Sequence, residues 1–345
     1  MSSTLRRVAP AVGLFLLAPL VAEFLLGNLP LTMLPALIAL APLYGGGALL
    51  IREVVRRRGQ GWPSLVLLTL AYGVLEEGLT TQSLFNPDYA GQRLLDYGFV
   101  PALGIGLPWT LYVLGLHTVW SISVPVATVE LLTPERQTAP WLGRIGLAVT
   151  AALFAVGIAV TTAFNLATWP YRATTPQLLG AALVVVLLVA VALRLPPRAG
   201  AARGPAAPSG WLTGGFALLA GALFMLLSAL PRSVPAAVAV LALLALYAAV
   251  TVAILVWSRR PGWGDAQRLG LVAGALLTYA WHAFPESPVV PTPPAVDLVG
   301  NAVFAAGAVL LIVLAARRLG HQPGPAARAP APPVPAAPAG AGAGS

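Results

Sequence analysis

Apolar residues fall into ten runs, at residues 8–26, 31–51, 62–82, 107–132, 145–167, 176–195, 211–230, 234–257, 269–284 and 296–316. Each approaches the length of about 20 residues that a helix needs to cross the hydrocarbon core of a bilayer. Short polar or Pro/Gly-rich stretches separate them. The pattern predicts an all-α, polytopic integral membrane protein of about ten transmembrane helices, since spanning helices satisfy their backbone hydrogen bonds internally. The first run begins after Arg6 and Arg7 and resembles a signal peptide. Glu23 near its end, and the lack of a small-residue cleavage site, favour a retained helix.

One run breaks its own pattern. The segment YGVLEEGLTTQ, residues 72–82, sets Glu76 and Glu77 side by side in an otherwise apolar stretch. An acidic residue near mid-helix costs roughly 2.5 to 3.5 kcal/mol on insertion scales, and each Leu or Val returns only about 0.3 to 0.6. The eight Leu and Val residues between Leu65 and Leu79 therefore balance about one glutamate and not two. This helix needs neighbours, protonation or a wet cavity. On the next run Thr110, His117, Ser121 and Thr128 make a polar stripe that faces a bundle interior and not lipid.

Charge fixes an orientation. All 20 basic residues are arginines, which with the Ala, Gly and Pro excess points to a GC-rich, bacterial genome and a plasma-membrane location. With ten crossings, 17 arginines fall on one side and only Arg93, Arg172 and Arg232 on the other. The positive-inside rule then places the N- and C-termini in the cytoplasm. The net charge of +9 is thus an orientation signal and not a nucleic-acid signal. Glu23, Asp88, Asp96, Glu286 and Asp297 gather toward the outer side, as a cavity open to the outside would explain. The chain divides into residues 1–195 with six helices and the polar site, a basic Pro/Gly/Ala linker at 196–210, residues 211–319 with four helices, and a disordered tail from 320 to 345.

Glu76, Glu77 and His117 are the candidate catalytic residues. Consecutive residues on an α-helix diverge by about 100 degrees, so one glutamate is expected to face the cavity and the other a neighbouring helix. Thr80 and Thr81 each lie four residues after one glutamate and supply it a hydroxyl on its own face. Gln82, Ser121, Asn86, Asp88 and His282 are the supporting or substrate-contacting candidates. The loop at 83–106 lies at the membrane interface or folds over the site as a lid. With no cysteine, thiol chemistry and Cys-ligated metal sites are excluded. A Glu, Glu, His metal site lacks the HExxH spacing, so no metal and no cofactor are expected. The partners expected are the lipid bilayer and an unidentified peptide or small-molecule substrate.

The glutamate pair, followed about 40 residues later by an intramembrane histidine, resembles the CPBP family, which comprises CAAX prenyl proteases and bacteriocin-processing or Abi-type proteins. Its pattern is EExxxR, then FxxxH, then HxxxN or HxxxD. Glu76 and Glu77 match the pair, and His117 matches the first histidine. Thr81 stands at the Arg position, Val113 at the Phe position, and the third motif has no counterpart at the expected interval. The resemblance spans residues 76–117 and implies a metal-free intramembrane protease in which a glutamate activates water. The alternatives are a proton-coupled transporter or carrier, and a non-catalytic membrane partner or immunity protein.

Overall fold

The computed structural model describes residues 3–197 and 204–320, with side chains from Val8 onward. The positions of both chain ends, much of the basic linker and the tail from 321 lie outside the described residues. The helices are α1 (Ser3–Pro19), α2 (Leu37–Arg57), α3 (Trp62–Val74), α4 (Leu107–Leu116), α5 (Val124–Leu132), α6 (Arg144–Thr168), α7 (Thr175–Arg194), α8 (Gly210–Ser228), α9 (Ala236–Trp257), α10 (Asp265–His282) and α11 (Pro294–Gly320). Three of them are extended by π-helical turns. Leu20–Leu25 continues α1, Leu75–Thr80 continues α3, and His117–Ser123 joins α4 to α5. Pro125, which lacks an N–H, sits at the second position of α5, directly after the third of these turns.

Among the described residues, eight helical stretches are long and apolar enough to cross a membrane, as in a multi-pass membrane protein. Two of the ten sequence runs, the α3 and α10 stretches, fall outside that set. They are the helical stretches that carry Glu76 and Glu77, and Asp265 and His282. Both are largely enclosed by other helices, whereas α6, α7 and α9 turn most of their side chains outward. The least apolar helices thus occupy the interior, where protein and not lipid surrounds their polar groups.

The connections alternate between two ends of the bundle. At one end lies a short antiparallel hairpin, β1 (Phe99–Val100) with β2 (Ile105–Gly106), pairing Phe99 with Gly106 and Val100 with Ile105. Around this hairpin end, Tyr97 donates to the Val234 carbonyl, Val289 N–H to Asn28, and Ala173 N–H to the Gln82 side chain. The segment after α3 is more than an interfacial loop, because Ser83, Leu84, Phe85, Asn86 and Leu95 are buried.

The predicted division into six and four helices does not divide the core. One buried cluster joins Val21 and Leu25 to Trp120, Leu131, Leu276, Tyr279 and Ala308. At its centre the Trp120 and Tyr279 rings stack with centroids 4.7 Å apart, and the indole N–H donates to the Ala275 carbonyl at 2.8 Å. Helices α8 and α10 approach closely through small residues. A Cβ on Gly274 would lie 2.5 Å from the Gly214 carbonyl oxygen.

At the opposite end, Arg52 is fully buried and not a surface marker of the membrane boundary. Its guanidinium reaches Glu130 at 3.0 Å, Glu53 at 3.2 Å and the carbonyls of Arg136, Gln137 and Ala139, and it lies 3.3 Å from the Trp141 ring centroid. Arg56 closes a bidentate pair on Glu130 and Arg57 reaches Glu53. Truncating one partner of a buried ion pair typically costs about 3 to 5 kcal/mol, because the other charge is stranded. Arg52→Met is therefore expected to lower stability by about 3 kcal/mol in denaturant-monitored unfolding in detergent. A neutral single substitution would contradict this account.

Candidate functional site

The first turn of the site comes from the local sequence LEEGLT. In a π turn the N–H of residue i+5 bonds back to residue i. Thr81 N–H accordingly donates to the Glu76 carbonyl at 2.8 Å. The wider turn brings Glu76 and Glu77 closer together in direction than α geometry would. The two therefore do not diverge, one toward a cavity and the other toward a neighbouring helix, as was expected. Both reach the same imidazole, from opposite sides. His117 Nε2 lies 2.7 Å from Glu77 Oε1, and Nδ1 lies 3.3 Å from Glu76 Oε2.

His117 is brought within reach by Gly73, where a Cβ would lie 3.2 Å from the His117 Cβ. The ring is held by further contacts. Ser121 Oγ is 3.1 Å from Nδ1, four residues along the same stripe. The Tyr44 ring stacks on it and the Tyr72 ring meets it edge-on, each with centroids 6.0 Å away. Of the predicted stripe, Thr110 and Thr128 bond only to carbonyls of their own helix, at Gly106 and Val124.

The two carboxylates are not equivalent. Glu77 Oε2 accepts from the Thr81 hydroxyl at 3.0 Å and from the Ser83 hydroxyl at short range, so both its oxygens are engaged. Glu76 Oε2 is buried and makes no hydrogen bond, although His117 Nδ1 lies 3.3 Å away. The hydroxyls of Tyr44 and Tyr72 sit beside Glu76. Tyr72 Oη is itself buried without a partner.

The predicted hydroxyl for Glu76 is a second correction. Thr80 Oγ1 is buried and makes no hydrogen bond, whereas Thr81 donates to Glu77, four residues before it, as expected. Gln82 takes the left-handed conformation, φ 58°, which is costly for a residue with a Cβ. It reverses the chain so that Ser83 points back at Glu77, and its side chain anchors the Ala173 N–H just ahead of α7. Asn86 is buried and caps the Asp88 N–H, while Asp88 is exposed. His282 pairs with Glu286 at 3.4 Å.

Sequence reasoning passed over Ser83, Tyr44, Tyr72 and the role of Glu23. Tyr44 donates to Glu23 at 2.5 Å, and Asn28 donates to the other oxygen of Glu23 at 2.8 Å. Glu23 was visible as an acidic residue in an apolar run, the same signal that marked Glu76 and Glu77.

The atoms that Glu76, Glu77 and His117 could offer a metal ion lie within 4.8 Å of one another, and all three residues are buried. Both ring nitrogens already face carboxylates, however. A cation bound through the ring would have to displace one of them.

A family model described as "Uncharacterized membrane protein family" matches residues 13–319. The chain belongs to that family. Neither the curated proteins nor the solved structures show a match. The matched region takes in the whole polar cluster, from Glu23 to His117.

These contacts predict a contrast between neighbouring positions. Ser83→Ala and Thr81→Val each remove a donor from a buried carboxylate and should destabilise the protein by about 1 to 3 kcal/mol. Thr80→Val removes an unpaired buried hydroxyl and should be neutral or slightly stabilising. Thermal unfolding of the three variants in one detergent checks the order. Equal effects at Thr80 and Thr81 would refute this assignment of the hydroxyls.

Proposed function

We propose that this membrane protein is an intramembrane hydrolase of peptide bonds, a glutamate protease resembling the CPBP type, with its site toward the outer face. The observation that carries the proposal is the division of labour between the two carboxylates around one imidazole. Glu77, fully engaged by Thr81, Ser83 and His117, is the orienting group. It holds the ring as the carboxylate of a Ser-His-Asp triad holds its histidine. Glu76, with a free buried oxygen, is the general base.

A water bound between Glu76 Oε2 and the Nδ1 edge of His117 gives its proton to Glu76 as its oxygen attacks the substrate carbonyl. The tetrahedral oxyanion is steadied by His117, with the otherwise unpaired Tyr72 hydroxyl as a second donor. The C–N bond then breaks, and the proton on Glu76 leaves with the amine. Cytoplasmic termini and a bacterial plasma membrane are parts of the same proposal, resting on the arginine distribution.

A proton-linked carrier is the second reading, favoured by the near-complete burial of all three groups. Both readings are tested with purified protein, in nanodiscs for cleavage of prenylated and amphipathic quenched-fluorescent peptides, and in proteoliposomes for proton-linked uptake. Glu76→Gln should reduce hydrolysis by about 10²- to 10⁴-fold, with Glu77→Gln and His117→Gln close behind. Hydrolysis should persist after exhaustive chelation, as a mechanism carried by Glu76 and His117 alone requires. Uptake lost with unchanged cleavage in Glu76→Gln would decide for the carrier. Retention of both activities in all three folded variants would overturn the site.

A further inference from the structure

Three π-helical turns occur among the described residues, and all three converge on one cluster. Leu75–Thr80 carries Glu76 and Glu77, and His117–Ser123 carries His117 and Ser121. Leu20–Leu25 carries Glu23 and packs directly against the turn of His117. π turns are rare and concentrate at functional sites. Two of these three hold the groups assigned above, so the third calls for a role.

Its position supplies one. Glu23 is the cluster carboxylate that is only half-buried, at the hairpin end of α1, whereas Glu76 and Glu77 are shut in. It is tied to the interior by one hydroxyl. Tyr44 donates to Glu23 at 2.5 Å, sits beside Glu76 and stacks on His117. From Glu76 the path continues to His117 Nδ1 at 3.3 Å, and from Nε2 to Glu77 at 2.7 Å. Asn28 fixes the remaining oxygen of Glu23 from the following loop.

We infer that Glu23 is a third acid–base group of this site, through which protons pass between water and the Glu76–His117–Glu77 cluster by way of the Tyr44 hydroxyl. Glu23 takes a proton from water and hands it to the Tyr44 oxygen, while the proton already on Tyr44 passes to Glu76. The return runs in reverse, and one proton is transferred with no other bond changed. The inference rests on the cluster being the acid–base site proposed above. It deepens that reading by naming how the buried base is reset after each turnover, or loaded in a carrier. The other ionisable groups facing this path are Tyr72 on α3, Tyr89 in the loop after it and Tyr279 on α10. Helix α11 contributes the Phe304 ring, against Phe24.

The test needs no substrate. Full-length protein in nanodiscs is subjected to a pH jump, and the carboxylic-acid C=O band is followed by time-resolved infrared spectroscopy, with Trp120 fluorescence in parallel. In the wild type the buried carboxyl signal should follow the jump. Glu76→Gln should remove most of its amplitude. Glu23→Gln and Tyr44→Phe should keep the Glu76 amplitude but slow its appearance by at least about tenfold, with Glu23→Asp recovering part of the rate. Glu286→Gln, at the separate His282 pair, should leave the rate unchanged. Tyr44→Phe removes a single oxygen atom and carries the test if Glu23→Gln fails to fold. A Glu76-dependent signal with wild-type kinetics in the folded Tyr44→Phe protein overturns the Glu23 path while leaving the site intact. No Glu76-dependent signal at all overturns the site, and with it this inference.

Discussion

Two adjacent carboxylates in a low-dielectric interior repel each other and lose their hydration, and no apolar helix can hold them unaided. In this protein one imidazole answers both demands. Its two nitrogens lie on opposite edges of a planar ring, so two acidic groups can be served without meeting one another. The hydroxyls of Thr81, Ser83 and Ser121 then fill the neighbouring hydrogen-bonding positions. Around this arrangement the helices are placed. Gly73 clears the approach of the His117 helix, the rings of Tyr44 and Tyr72 wall the imidazole, and the strained Gln82 turns Ser83 inward.

The geometry depends on departures from the α-helix. With 3.6 residues per turn, Glu76 and Glu77 would point about 100 degrees apart and Thr80 would stand over Glu76. The π turn removes both results at once. It draws the carboxylates toward a common target and leaves Thr80 unpaired, while Thr81 keeps its expected place beside Glu77. An extra residue in a turn strains the helix and persists only where tertiary contacts compensate. Here the compensation is the hydrogen-bonded cluster itself.

The helical bundle and the approach of the glutamate pair to His117 were legible in the sequence, for definite reasons. Apolar runs of bilayer length can form little else, and the polar stripe with His117 on the next helix had to face a bundle interior where two glutamates needed partners. The convergence was not legible, because a π turn has no compositional signature and residue spacing was necessarily judged on α geometry. The burial of Arg52 was hidden for a related reason: arginine near the end of an apolar run marks an orientation, and nothing in IREVVRRR, residues 51–58, separates the residue buried against Trp141 from those at the surface. The division of the chain at residues 196–210 followed composition, whereas the core follows the Trp120–Tyr279 stack across it. The two runs that fall short of spanning hydropathy, α3 and α10, are those that other helices enclose. Hydropathy measures contact with lipid, and these helices have little.

The two buried polar clusters share two partners. Helix α2 carries Tyr44 toward the hairpin end and Arg52 toward the other, and the α4–α5 rod carries His117 and Glu130 in the same order. Each helix pair is therefore pinned at two separated points, by a ring stack at one and an ion pair at the other. A helix packed only by Leu and Val can slide or rotate at little cost, because lipid and side chain offer similar contacts. Two polar fixings of unlike chemistry remove that freedom, since any shift that keeps one intact strands a buried charge or a hydroxyl at the other. The arginine cluster thus serves the carboxylate cluster across the length of the bundle, by holding Tyr44 in register with the imidazole.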